Sequence, residues 1–129
     1  MHQKITLFRM AHAMASHAGA RQAVIAQNIA NADTPGYRPR DLVPFADMVT
    51  GRGDLAPRAT RAKHFDAETQ RNGPKIINSK VTGQTNPNGN GVSLEEQMLH
   101  AVDVKRQHDR ALAIYKFSLG VLRSSIGQR

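Results

Sequence analysis

The sequence predicts a mainly α-helical chain, with long N- and C-terminal helices packed as an antiparallel coiled-coil-like pair. Apolar and small residues recur at heptad spacing in two terminal stretches. The stretch between them holds five of the six prolines, six glycines and three Asn-Gly pairs, a composition typical of turns. We therefore predict three segments: an N-terminal helix with its end motif at 1–37, a flexible middle at 38–92, and a C-terminal helix at 93–129 that packs against the first.

The first helix is predicted from about Leu7 to Ala32, where small and apolar positions alternate in steps of three and four. Alanine dominates this stripe, so it allows a close helix approach but buries little surface. We expect the helix to need a partner to be stable. The stripe consists of Phe8, Ala11, Ala15, Ala18, Gln22, Ile25, Ile29 and Ala32.

The end of this helix is set by the string NIANADTPGY, which runs from Asn28 to Tyr37. Proline disfavours a helical conformation at the residue before it, and Pro35-Gly36 suits the centre of a type II turn. The helix should therefore end near Asp33. Asn28 and Asn31 are three apart and share a helix face, so their amides could bond a loop or a neighbouring subunit. An ordinary polar helix end is the alternative.

The second helix is predicted to begin at Ser93, because Ser93 and Glu96 have the spacing of a capping box. A four-three apolar pattern then continues almost to the C-terminus. Its members are Leu94, Met98, Ala101, Lys105, His108, Leu112, Tyr115, Leu119, Leu122 and Ile126.

Lys105 and His108 interrupt this stripe and could set the register against one partner. The equally good alternative is a slightly rotated face that uses Val102, Val104 and Ala111 at this point.

The middle segment shows no helical period, although short strands are possible near Ile76-Ile77 and Val81. Its few apolar residues cannot offset a backbone ordering cost of roughly 1–2 kcal/mol per residue. We therefore expect it to be partly disordered in the isolated chain.

The composition also bears on targeting, on disulfide bonds and on structural metal sites. The chain has no cysteine, which removes disulfides and the usual structural zinc sites. No apolar run approaches the roughly 20 residues of a membrane span, so we expect no direct membrane insertion. The first 32 residues lack Asp and Glu, as in some targeting peptides, but Arg9 interrupts the apolar stretch. We expect no signal cleavage.

No constellation for catalysis stands out, and we predict a non-enzyme with no catalytic, cofactor-binding or metal residues. His12 and His17 fall on different helical faces, and no Cys or H-E-x-x-H motif accompanies them. The serines lack a nucleophile elbow, and Glu95 and Glu96 sit where they favour a helix start.

The net charge of +8 raises one alternative function, a basic coiled-coil adaptor that binds nucleic acid or an anionic surface. The charge is spread over the three segments as +2, +4 and +2. A group of basic residues in the middle segment has only Phe65 nearby as an aromatic ring on which a base could stack. We therefore predict that the chain has no nucleic-acid partner. That group is Arg58, Arg61, Lys63 and Arg71.

The string NIANADTPGY resembles the signature near the N-terminus of bacterial flagellar rod and hook proteins. The patch NPNGNGVSLEEQM, from Asn86 to Met98, resembles the segment before the C-terminal helix of the short proximal-rod members. A length of 129 residues also suits those members. By this resemblance the assembly motif comprises Asn28, Asn31, Thr34, Pro35, Gly36 and Tyr37. The heptad pattern gives the helix-packing seam as Phe8, Ile25, Ile29, Leu94, Met98, Leu112, Tyr115, Leu119, Leu122 and Ile126.

The resemblance implies a structural subunit of the flagellar basal-body rod, which connects the membrane ring to the rest of the rod and transmits torque for motility. It implies self-association in a helical assembly, with the terminal helices packed as an inner tube. The implied partners are other rod subunits, the rod-to-ring adaptor, the membrane ring protein and the flagellar type III export apparatus. The implied location is the periplasmic span of the envelope.

Overall fold

The computed structural model describes residues 2–50, 75–81, 83 and 85–127. The predicted disorder of the middle and its basic group fall largely within 51–74, outside the described residues. Two long helices dominate the rest, which confirms the predicted fold class. The elements are α1 (His2–Ala30), β1 (Arg40–Leu42), α2 (Phe45–Thr50), β2 (Ile76–Asn78) and α3 (Leu94–Ile126).

Helices α1 and α3 pack antiparallel, as predicted. At one end the rings of Phe8 and Tyr115 meet edge to face, with centroids 5.4 Å apart. At the other end the side chain of Asn28 bonds that of Gln97. The centre of the interface is a small cluster of Ala18, Ile25, Val104 and Ala101.

The buried stripe of α3 lies one residue away from the predicted one. Val104 and Ala111 are buried, as in the rotated alternative, whereas Val102 is half exposed. The stripe has a strict period of seven: Gln97, Val104, Ala111 and Ser118. Ala111 and Ser118 in this stripe are small, and small side chains allow close packing between helices, which favours this stripe over the bulkier neighbouring one. The predicted seam therefore does not form the contact with α1 at most positions.

Most of that predicted seam is exposed in the single chain. Among the large apolar members of this seam on α3, Leu122 alone is half-buried. The exposed members are Leu94, Met98, Leu112, Tyr115, Leu119 and Ile126. Among the α1 members, Ile25 is buried, Phe8 is half-buried, and Ile29 is exposed.

A short segment from 39 to 50, here called the arm, covers one side of α1. It contains β1 and α2, and β1 pairs with β2 in an antiparallel register that sets Arg40 opposite Asn78 and Leu42 opposite Ile76. The predicted strand at Ile76-Ile77 is confirmed, but Val81 lies outside any strand. Within the described ranges, no helix is both long and apolar enough to traverse a bilayer.

Candidate functional site

The turn that ends the first helix has the predicted geometry. Helix α1 ends at Ala30, and turns follow directly. The N–H of Tyr37 donates to the carbonyl of Thr34 at 3.3 Å, which closes a four-residue turn around Pro35-Gly36. Gly36 has φ of +70°, the value that the third position of a type II turn requires. The chain thereby reverses and leads into the arm.

Asn28 is the centre of a buried hydrogen-bond network that joins α1, the arm and α3. Its amide nitrogen donates to the carbonyl of Arg40 at 2.7 Å and to the side-chain oxygen of Gln97 at 2.9 Å. Its oxygen accepts from the Arg40 N–H at 3.0 Å and from the Tyr37 hydroxyl at 3.2 Å. Asn28 is 1% exposed and makes four hydrogen bonds, so its polar atoms are satisfied without water.

Asn90 caps the chain where it leaves α1, from 56 or more residues away in sequence. Its amide nitrogen lies 2.9, 2.7 and 2.7 Å from the carbonyl oxygens of Asn31, Ala32 and Thr34. Carbonyls after a helix end lack intrahelical partners, and a buried amide supplies them. The oxygen of Asn90 accepts from the Val92 N–H at 2.8 Å, which fixes the amide orientation.

Backbone bonds further link the segments 34–37 and 88–91. The Gly36 N–H donates to Asn88 at 3.1 Å, and the Gly91 N–H donates to Tyr37 at 3.0 Å. A Cβ on Gly89 would lie 3.5 Å from the Cα of Gly36, so the two backbones approach closely. The NIANADTPGY string and the NPNGNG string therefore form one joint.

The α3 side of this joint begins at a capped helix end. The Ser93 hydroxyl accepts from the Glu96 N–H at 3.4 Å, as predicted. Ser93 thereby fixes where α3 starts, and Gln97, one turn later, points at Asn28. Gln97 is 2% exposed, and its burial follows from this amide pair.

Asn31 and Thr34 serve the turn locally. The Asn31 amide donates to the carbonyl of Gln27 at 2.8 Å, and its oxygen accepts from the Thr34 hydroxyl at 3.2 Å. Both bonds are exposed. The predicted helix-to-loop role thus falls to Asn28, and an inter-subunit role for Asn31 stays a prediction.

An ion pair fastens the arm to α1. The Arg21 guanidinium donates to both Asp41 carboxylate oxygens at 2.8 Å. Burial alone would raise the pKa of Asp41, but hydrogen bonds from Arg21 and the Leu42 N–H outweigh it, so the pKa lies below its usual value. The hydrogen bond with Asp41 likewise raises the pKa of Arg21, against the opposing effect of burial.

His17 adds a second bond between α1 and the arm. Its Nε2 donates to the Val43 carbonyl at 2.8 Å, and its ring packs against Phe45 at 5.6 Å between centroids. This histidine is used in packing. Among the described residues, no three His, Asp or Glu side chains converge as a metal site would need.

Sequence reasoning missed Arg21, Asp41, His17, Asn90 and Gln97. The pairs that they form are 20 or more residues apart, and no spacing rule connects residues at such distances. One signal was present: Asn90 and Gln97 lie inside the second patch that carried the family resemblance. The side chains that bond across the joint, those of Asn28, Asn90 and Gln97, are neutral amides, and such bonds suit a rigid connection between the two helices.

Comparison with known proteins is decisive for the family. The model of the family "Flagella basal body rod protein" matches residues 15–38, which include the whole NIANADTPGY string. The chain is also 31% identical over 117 residues to the flagellar basal body rod protein FlgB of Agrobacterium fabrum, covering 88% of this chain and 87% of that protein. The chain belongs to the FlgB-type family of flagellar basal body rod proteins.

Other FlgB-type proteins match over similar lengths. That of Salmonella typhimurium is 32% identical over 102 residues, with 73% of each chain covered. That of Cereibacter sphaeroides is 27% identical over 107 residues, with 82% of each covered. The basic-adaptor alternative finds no support in these matches.

Proposed function

We propose that the chain is a structural subunit of the flagellar basal-body rod, in its proximal part, where it connects the membrane ring to the rest of the rod and transmits torque. Family membership supports a role in the rod, since the relatives are named as basal body rod proteins. Its work is mechanical, because it holds neighbouring subunits in place and carries no reaction.

The observation that carries this proposal is the joint between the two signature strings. Asn28 and Asn90 tie the end of α1 to the start of α3 through bonds of 2.7–2.9 Å. Buried, fully bonded amide networks rigidify the elements that they connect. A subunit that transmits torque needs such rigidity between the helices that contact its neighbours.

The proposed partners are other rod subunits, the rod-to-ring adaptor and the membrane ring, in the periplasmic span of the envelope. We further propose export through the flagellar type III apparatus without signal cleavage. The exposed apolar side chains of α3, such as Met98, Phe117 and Ile126, support subunit contacts, because water-exposed apolar patches favour association.

The test is to delete the coding sequence in the source bacterium and to restore it with the unchanged chain or with variants. We expect the deletion strain not to swim, and a specific label on the unchanged chain to appear at the rod of purified basal bodies. A swimming deletion strain, or label absent from basal bodies, would contradict the proposal.

Asn31 offers a sharper variant, because its side chain bonds only within its own turn in the described structure. We expect Asn31→Ala to leave the fold intact and to impair swimming, which would assign Asn31 to a subunit contact. Normal swimming of this variant would remove Asn31 from the assembly motif.

A further inference from the structure

The α1–α3 pair is covered on one side and open on the other. The arm binds α1 through His17, Arg21 and Asn28, which lie on one side of the buried stripe. Gly19 and Gln22 lie on the opposite side, since successive helix residues turn by about 100°. No described element covers this second side, here called the open side.

A groove of about 570 Å³ runs between the two helices on the open side. Small side chains form much of it, and Lys105 and His108 stand in its lining. Small residues let another helix approach closely, and a lysine favours an occupant that carries a carboxylate. The lining includes Ala18, Gly19, Gln22, Ala101, Lys105 and His108.

The open side is continuous with the exposed apolar stripe of α3. Met98, which is 63% exposed, lies about two turns before the groove's Lys105, and Leu112 lies about two turns after it. The stripe therefore continues the α1–α3 interface laterally. An occupant that fills the groove would also cover these side chains.

The same chain carries a surface that matches this groove. Leu99 is 68% exposed and lies on a different face of α3. Glu95 and Asp103 stand four residues before and after it, on the same helix face, and both are exposed. Leu99 is thus an apolar side chain framed by two carboxylates. Arg106 continues this face, so complementarity to Lys105 is confined to the first turns of α3.

We propose that the groove receives the Leu99 face of a second copy of the chain, with Glu95 or Asp103 of that copy paired with Lys105. This inference rests on the proposed rod function. The groove and the Leu99 face are different surfaces, so the contact is head-to-tail, and it propagates along an assembly. A two-fold dimer would instead bring identical surfaces together.

Thiol crosslinking tests the contact directly, because the chain has no cysteine of its own. Gly19→Cys fits the groove, since a Cβ there meets no atom within 4 Å. We would mix this variant with Leu99→Cys, at high concentration and in flagellated cells that express both, and add a short bis-maleimide. We expect a crosslinked dimer in the mixture and none from either variant alone.

A matched control uses Gly120→Cys in place of Gly19→Cys, because a Cβ at Gly120 also meets nothing within 4 Å. We expect no crosslink between it and Leu99→Cys. A dimer from Leu99→Cys alone would overturn the head-to-tail contact. The absence of a crosslink in both settings would overturn the proposal of a second copy as occupant.

Filling the groove gives an independent readout. We expect Gly19→Leu to retain the circular dichroism and melting behaviour of the unchanged chain but to abolish swimming, whereas Gly120→Leu swims. If Gly19→Leu cells swim while the deletion strain does not, the groove proposal fails and the rod function stands. If the deletion strain swims, the rod function itself fails.

Discussion

The side-chain amide of Asn28 donates to the side-chain oxygen of Gln97 at 2.9 Å, across 69 residues of sequence. Asn28 belongs to the string that ends α1, and Gln97 belongs to the first turns of α3. Both residues are buried, so neither amide has water as an alternative partner. The pair therefore couples the C-terminal end of α1 to the N-terminal end of α3, and a shift in helix register would leave both buried amides without this partner.

Tyr37→Phe should weaken this joint modestly. The substitution removes the hydroxyl that donates to Asn28 at 3.2 Å, but the Arg40 N–H still bonds the same oxygen. We expect a loss of about 0.5–1.5 kcal/mol in the free energy of unfolding, measured with urea. Tyr115→Phe is the control, because this side chain is 43% exposed and keeps its ring contact with Phe8. An equal loss in both variants would contradict the assigned bond.

Gly36→Ala should destabilise the chain through its backbone alone. Gly36 has φ of +70°, and a Cβ there meets no atom within 4 Å, so sterics with neighbours do not contribute. An L-residue in the left-handed region costs about 1–2 kcal/mol. Gly120→Ala is the control, since that site is equally open and lies inside α3, where φ is not positive. Thermal unfolding should separate the two variants, and similar melting temperatures would contradict the turn assignment.

Asn90→Asp should release the end of α1. Aspartate has nearly the same shape, but its carboxylate cannot donate to the three carbonyls that the Asn90 amide now serves. We expect a loss of about 2 kcal/mol or more, because a buried negative charge would face the three carbonyl oxygens that the amide now bonds. Hydrogen exchange of the amides near Ala32 should accelerate.

Asn86→Asp is the control for this change, since it adds the same charge to the same loop at an exposed position. We expect it to leave both the stability and the exchange near Ala32 almost unchanged. Identical behaviour of the two variants would show that the added charge, and not the loss of the Asn90 amide bonds, caused the loss of stability.

The Arg21–Asp41 pair should contribute stability that acid removes. Burial raises the pKa of Asp41, but the hydrogen bonds from Arg21 and the Leu42 N–H together lower it more, so the pKa lies below its usual value of about 3.9. The folded chain therefore binds fewer protons at this site, so its stabilisation is complete above that pH and is lost as the pH falls through the folded pKa. Asp41→Asn should be less stable than the unchanged chain at neutral pH, with a flatter decline below about pH 4.

Asp109→Asn is the matched control, because Asp109 is exposed on α3. Its urea unfolding curves across the same acid range should follow those of the unchanged chain. An equally steep acid decline in Asp41→Asn would contradict the role of the ion pair.

The sequence predicted the features that obey local rules. Proline and glycine chemistry located the turn at Pro35-Gly36, and the spacing of Ser93 and Glu96 located the start of α3. Both depend on neighbours within four residues, and so they can be read from a single stretch of chain.

The α3 residues buried against α1 lie one position from the first predicted stripe, on the rotated face that the sequence also offered with Val104 and Ala111. The helix carries two adjacent stripes, and the one with Met98, Leu112 and Leu119 is the more hydrophobic. The structure instead buries the stripe of Val104 and Ala111 against α1, where the small side chain of Ala18 leaves room for Val104 to pack. Gln97 and Asn28 have polar side chains, which a sequence pattern places on the surface. Their burial is favourable because they hydrogen-bond each other, and the sequence does not show that bond.

The central claim is that Asn28 and Gln97 act as a pair that joins the end of α1 to the start of α3. A double-mutant cycle with Asn28→Ala, Gln97→Ala and the double variant, each unfolded in urea, measures their coupling free energy directly. The account predicts a coupling of about 1–3 kcal/mol, with the double variant less damaged than the sum of the single ones. Additive losses, with a coupling near zero, would contradict it.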